Sequence, residues 1–315
     1  MKNAFLVLLA ALAPLAGLPP AAAATEPASC ATVRFSDVGW TDISVTTAVA
    51  SELLEALGYR TRTSTLSVPV TYRSLANSDL DVFLGNWMPT MENDIRRYRE
   101  DGSVETLRAN LEGAKYTLAV PAYAYEAGLR TFADIARFRD KLGGRIYGIE
   151  PGNDGNRLIQ SMIDRGVFNL GDFKLVESSE AAMLAQVRRA QRSQDWIVFL
   201  GWEPHPMNTQ LEMRYLSGGD DFFGPDYGRA TVYTNVRKGY ASECPNVGKL
   251  LGNLVFSLDM ENQLMGQVLD DKQKPREAAR AWLRANPQAL GAWLDGVSSR
   301  DGQPGLDTVK AKLAD

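Results

Sequence analysis

Three tryptophans fall where an α/β protein would hold a ligand. Trp40 sits in the turn after a predicted strand (SDVGWTD), Trp87 just after the run LDVFL (GNWMPT), and Trp202 just after the run WIVFL (GWEPHP). In open α/β sheets, ligands bind outside the carboxyl ends of the strands. Trp196, Trp282 and Trp293 read instead as core residues, within a strand or on a helix face. The first three could also simply fill gaps between loops. As a cluster they suit one chemistry, the binding of a quaternary ammonium group. Such a cation has no N–H to donate, and its charge is spread over methyl groups. Aromatic faces offer it a negative quadrupole and an apolar wall together, at about 0.5–2 kcal/mol per contact.

Other chemistries find less support. The chain has no GxSxG, HExxH, Walker A or GxGxxG motif. Its carboxylates are many, but none is marked out as an acid/base pair. One His and two Cys exclude the common zinc sites of four cysteines, two cysteines with two histidines, or three histidines. A Ser-His-Asp triad would need His205, which lies between Pro204 and Pro206 and reads as a turn residue. Lys and Arg number 34 against 38 Asp and Glu, a formal charge of −4 that argues against a nucleic-acid partner.

The scaffold that must position the tryptophans begins after residue 24. Lys2, the uncharged run Ala4–Leu18, Pro19-Pro20 and Ala21–Ala24 form the n-region, h-region and small-residue site of a cleaved signal peptide. The 15-residue run is short for a membrane span, which needs about 18 or more. The mature chain therefore starts near Thr25, exported and periplasmic. In an oxidising compartment Cys30 and Cys244, 214 positions apart, are expected to pair; two free buried thiols are the alternative. A loop that long contributes roughly 4–5 kcal/mol on the chain-entropy model.

From Thr32 onward strands alternate with helices. Strands are predicted at 32–36, 59–66, 80–84, 144–149, 173–176 and 196–200, with an extended apolar run at 114–124. Helices are predicted at 43–57, 69–77, 156–165 and 180–190, then at 244–260 and 275–294. Repeated β-α-β units predict an α/β fold with largely parallel sheets. At 315 residues the length fits about two domains.

These residues resemble the substrate-binding proteins of ABC importers for choline and glycine betaine, and the match to the periplasmic choline-binding members is close. The resemblance runs through SDVGWTD, LDVFLGNWMPT, AKYTLAVP, GIEPGNDGNRLIQ and FLGWEPHPMN. It implies a two-lobed periplasmic binding protein fold of type II, with the ligand in the interlobe cleft and two hinge crossings. Lobe 1 would take residues 25–113 and 212–315, and lobe 2 residues 114–211. Cys30 and Cys244 would then share lobe 1. The resemblance further implies an aromatic box, which falls here on Trp40, Trp87, Tyr116 and Trp202, with polar partners at Asp42 and Asn153. Some betaine-binding relatives use only Trp where this chain has Tyr116.

Bland roles exist for each polar candidate. Asp42 could cap the helix at 43–57, Asn153 could serve its turn, and Tyr116 could be a plain strand residue. Charge separates the ligands. An ionised Asp42 attracts the choline cation and accepts its hydroxyl, whereas it repels the carboxylate of glycine betaine. The expected ligand is choline, with acetylcholine or betaine as related candidates, delivered by a monomer to an inner-membrane ABC permease without cofactor, metal or catalysis. A choline-ester hydrolase would need a nucleophile and base that the single His makes hard to supply. A sensory binder without transport is not distinguished by the chain.

Overall fold

The computed structural model describes residues 26–314, so the signal-peptide reading of residues 1–24 lies outside the described residues. Nine strands form one sheet: β1 (Thr32–Asp37), β2 (Arg60–Thr65), β3 (Val82–Met88), β4 (Val104–Pro121), β5 (Arg145–Tyr147), β6 (Lys174–Val176), β7 (Phe199–Glu203), β8 (Met213–Tyr215) and β9 (Arg229–Arg237). The strand order is β2-β1-β3-β9-β4-β7-β5-β6, with β8 pairing on β4.

Two parallel trios stand at the ends of this order. β1 pairs in parallel with β2 and β3, and β5 with β6 and β7. The middle is antiparallel, because β9 pairs with both β3 and β4, and β4 pairs with β7 and β8. The expectation of largely parallel sheets therefore holds within each trio and fails between them. Between them runs β4, whose 18 residues span roughly 60 Å when extended and pair with β9 along one part and with β7 and β8 along the rest. Its register against β9 shifts at three places between Thr106 and Ala114, and such bulges bend and twist a strand. One strand thus connects the two parallel trios of an α/β two-lobed fold.

Local sequence explains the elements that matter for the site. In β1, Val33 and Phe35 are fully buried. The following turn needs Gly39 at φ +86°, a conformation that costs glycine little. Asp37 holds that turn by accepting from the Gly39 N–H (2.7 Å) and the Ser44 hydroxyl (2.7 Å). The helix Thr41–Ala56 then runs through the core, buried on most sides, against the helices Leu258–Leu269 and Pro275–Ala285.

Some boundaries differ from expectation. The third and seventh strands reach further than the apolar runs, so Trp87 and Trp202 lie inside β3 and β7 rather than just after them. In β3 the polar Asn86 is tolerated because it accepts from the Tyr72 hydroxyl (2.8 Å). The helical stretch expected at 244–260 breaks into Pro245–Asn253 and Leu258–Leu269, where Phe256 N–H bonds to Asn110 O instead (2.7 Å). The stretch at 275–294 breaks before Pro287, which cannot donate to a continuing helix. Cys30 and Cys244 form a disulfide with Cα atoms 5.6 Å apart. Among the described residues no helix is long and apolar enough to cross a membrane.

Candidate functional site

Seven residues line one cavity: Trp40, Asp42, Trp87, Tyr116, Ile149, Asn153 and Trp202. The six residues singled out from sequence are all there, joined by Ile149. Trp40, Asp42 and Trp87 come from the β1–β3 side; Tyr116, Ile149, Asn153 and Trp202 come from the other. The free space enclosed between them is small, about 20 Å³.

Four aromatic rings make the walls. Trp40, Trp87, Tyr116 and Trp202 are 6%, 3%, 5% and 4% exposed. Tyr116 stands edge-on to Trp87, with centroids 6.0 Å apart, and to Trp202 at 6.5 Å. Register places that second pair, since Tyr116 on β4 is directly opposite Trp202 on β7. Gly155 makes room for the tyrosine, because an added Cβ would overlap the Tyr116 hydroxyl. Ile149, which follows β5, had no distinguishing signal in the sequence, being one apolar residue among many.

Asp42 is the one carboxyl side chain among the seven. The helix begins at Thr41 with no side-chain cap, so Asp42 sits in the first turn and is not the cap that its spacing allowed. Its Oδ2 accepts from Trp87 Nε1 (3.3 Å), while Oδ1 has no hydrogen-bond partner. Burial and then the nearby charge of Glu180 push Asp42 up to about 8. Buried polar atoms are nearly always partnered, and an orphan carboxylate oxygen at an aromatic cavity is suited to a cation or a hydroxyl donor.

Asn153 serves its turn and also steadies a wall of the cavity. It is the N-cap of the helix Asp154–Asp164, accepting from Asn156 N–H at 3.0 Å. The same Oδ1 accepts from the Tyr116 hydroxyl at 2.9 Å, which fixes the ring. Burial holds the Tyr116 phenol well above its usual range, so it stays a donor.

Behind the walls lies a layer that sequence reasoning did not identify. Trp40 Nε1 donates to Glu150 Oε1 (2.7 Å), and burial pushes Glu150 up to about 7. Glu180 accepts from the Thr41 N–H (2.9 Å) and the Thr41 hydroxyl (2.6 Å), and contacts His205 Nε2 (3.1 Å). His205 Nδ1 accepts from Met207 N–H (2.9 Å), which leaves Nε2–H to donate to Glu180. The histidine is thus a turn residue, as its flanking prolines suggest. Asp94 pairs with Arg157. Glu203 turns outward to Lys115 (3.2 Å). Glu150, Glu180 and Asp94 are distant in sequence from their partners, and their pairing depends on the fold.

A small aromatic cavity lined from both sides of the sheet, in a two-lobed α/β fold, defines a binding protein of the periplasmic class. The chain belongs to the OpuAC family, described as the substrate binding domain of the ABC-type glycine betaine transport system, which matches residues 31–285. It is similar to a solved ABC-transporter choline binding protein in complex with choline: 65% identity, TM-score 0.91, covering 91% of this chain and 100% of that one. The unliganded semi-closed conformation of an ABC-transporter choline binding protein is also 65% identical, at TM-score 0.84, covering 90% of this chain and 99% of that one. The glycine betaine/carnitine transport binding protein of Listeria monocytogenes is 29% identical over 163 residues; the match spans 52% of this chain and 53% of that protein's length. The family and these neighbours are substrate-binding proteins of ABC transporters, not enzymes.

Proposed function

We propose that this chain captures choline in the periplasm and delivers it, as a monomer, to an ABC permease of the inner membrane. One observation carries the reading: four aromatic rings and one carboxylate with an unpartnered oxygen line a single small cavity that has no Lys or Arg in its lining. The rings suit the trimethylammonium group, and Asp42 suits the hydroxyl. The similarity to a choline binding protein solved with choline supports the same ligand. Trp40, Asp42, Trp87, Tyr116, Asn153 and Trp202 are the proposed ligand contacts. Acetylcholine shares the cationic head and is a further candidate. Glycine betaine is the second reading, favoured by the family description.

Closure of the two lobes is the proposed mechanism, with the chain crossing between them twice. Lobe 1 takes about 25–113 with the C-terminal part of the chain, and lobe 2 begins near 114. β8 pairs with β4 at Ala119–Pro121, which favours a return crossing after β8, somewhat beyond residue 212. Calorimetric titration of the mature protein against choline, glycine betaine, carnitine and proline tests the reading. Choline should bind most tightly. Betaine binding with no heat from choline would overturn the choice of ligand, and no binding of either would overturn the function.

A further inference from the structure

We propose that Glu180 is a positioning residue that locks the two lobes together, setting how long a ligand stays enclosed without touching it. This rests on the reading above that the lobes close over a ligand. Glu180 is absent from the cavity lining and only 5% exposed. It opens the helix Glu180–Ser193, yet that helix is capped by Ser179, whose side chain accepts from Ala182 N–H. The Glu180 carboxylate is therefore free for other partners. It takes the backbone N–H and the hydroxyl of Thr41, at 2.9 and 2.6 Å. Thr41 follows β1, and Glu180 follows β6 at the far end of the sheet order.

The positions of its partners make the contact more than an anchor. Thr41 lies between Trp40 and Asp42, both cavity residues. His205, the third donor, packs edge-on against Trp202, with centroids 4.9 Å apart. One carboxylate thus grips the segment carrying one wall and the carboxyl of one lobe, and the imidazole that backs a wall of the other. If the lobes part, both Thr41 donors leave, and the carboxylate must be hydrated instead. The contact therefore exists only in the closed arrangement. Other contacts between the lobes differ in kind, the Gln210–Asp270 bond among them being exposed. Trp40–Glu150 involves a wall itself, and the Arg157 of the Asp94 pair is 39% exposed, where water screens it.

Glu180→Gln and Thr41→Val, alone and together in the mature protein, test the proposal. Stopped-flow tryptophan fluorescence gives the choline dissociation rate, and calorimetry gives the choline-to-betaine affinity ratio. Each single variant should speed dissociation about 10- to 100-fold, the loss of one charge-assisted bond or more. The ratio should stay constant in Thr41→Val, which leaves the Glu180 charge beside Asp42 in place, and the double variant should be no faster than the more severe single. Dissociation within twofold of wild type in both singles, additive losses, or a changed ratio in Thr41→Val would overturn the assignment. If wild type binds neither compound, the functional reading fails, and small-angle scattering of unliganded protein decides the locking role separately. A larger radius of gyration for Glu180→Gln supports it, and an unchanged one overturns it.

Discussion

Tyr116 and Trp202 are direct register partners on β4 and β7, with ring centroids 6.5 Å apart and planes at 78°. Two cavity walls are thus fixed by one ladder of backbone hydrogen bonds rather than by loops. A wall held this way is preorganised, and little order has to be created when a cation arrives.

Trp202→Ala should weaken choline binding by about 1–3 kcal/mol, since a cation–π face and its packing are lost together. Trp282 is the control. It stacks on Trp293 at 6.0 Å, bonds to Gln263, and takes no part in the cavity. Trp282→Ala should lower stability and leave affinity nearly unchanged. Titration of both folded variants checks this, and equal losses of affinity would sink the box assignment.

Asp42→Asn should change selectivity. It removes the charge while keeping the size. Choline loses a charge-assisted hydrogen bond worth about 1.5–3 kcal/mol, whereas betaine loses a repulsion against its carboxylate. The affinity ratio between the two should shift toward betaine. A constant ratio in a folded variant would mean that Asp42 does not contact the distinguishing end of the ligand.

Choline affinity should rise with pH toward 8 and level off above it. In the unliganded protein burial and Glu180 push Asp42 up to about 8, and a bound cation favours the carboxylate. Binding therefore expels a proton, with a slope of at most about tenfold per pH unit. Titration in buffers of different ionisation enthalpy counts that proton, and Asp42→Asn should abolish it. The same shift acts on folding in the opposite sense. A carboxyl whose folded value lies above 3.8 lends stability at low pH that is lost as pH climbs through about 8. Unliganded wild type should accordingly lose Tm relative to Asp42→Asn over that window.

Gly155→Ala should displace Tyr116, because the new Cβ overlaps its hydroxyl. Overpacking of this kind costs about 1–3 kcal/mol of stability. The ring should also leave its bond to Asn153, so choline affinity should fall along with Tm. A variant that unfolds at a lower temperature but binds as wild type does would show that the ring position is not needed.

Much of the site was legible because its residues sit in short, distinctive stretches. SDVGWTD, GNWMPT and GWEPHP announce three walls, and PGNDGN announces Asn153. The alternation of strands and helices was legible for the same reason, being local. What was not legible depends on pairing across the sheet. No periodicity says that β4 joins two parallel trios in antiparallel fashion, or that Glu180 meets Thr41 across 139 positions. Glu150 and Glu180 read as two of 38 acidic residues, and only the fold separates them from the solvated ones. Strand ends were misjudged where polar residues such as Asn86 are satisfied by distant partners.

The disulfide between Cys30 and Cys244 has a topological consequence. It closes a covalent ring that holds every strand, β1 to β9, and both walls of the cleft. A single protease cut in any exposed loop within that ring opens the ring without dividing the molecule. The nicked protein should migrate as one species until reduced and as two fragments afterwards. A break in the backbone there need not release the ligand, because each side of the cut remains tied to the other through the sulfur bridge.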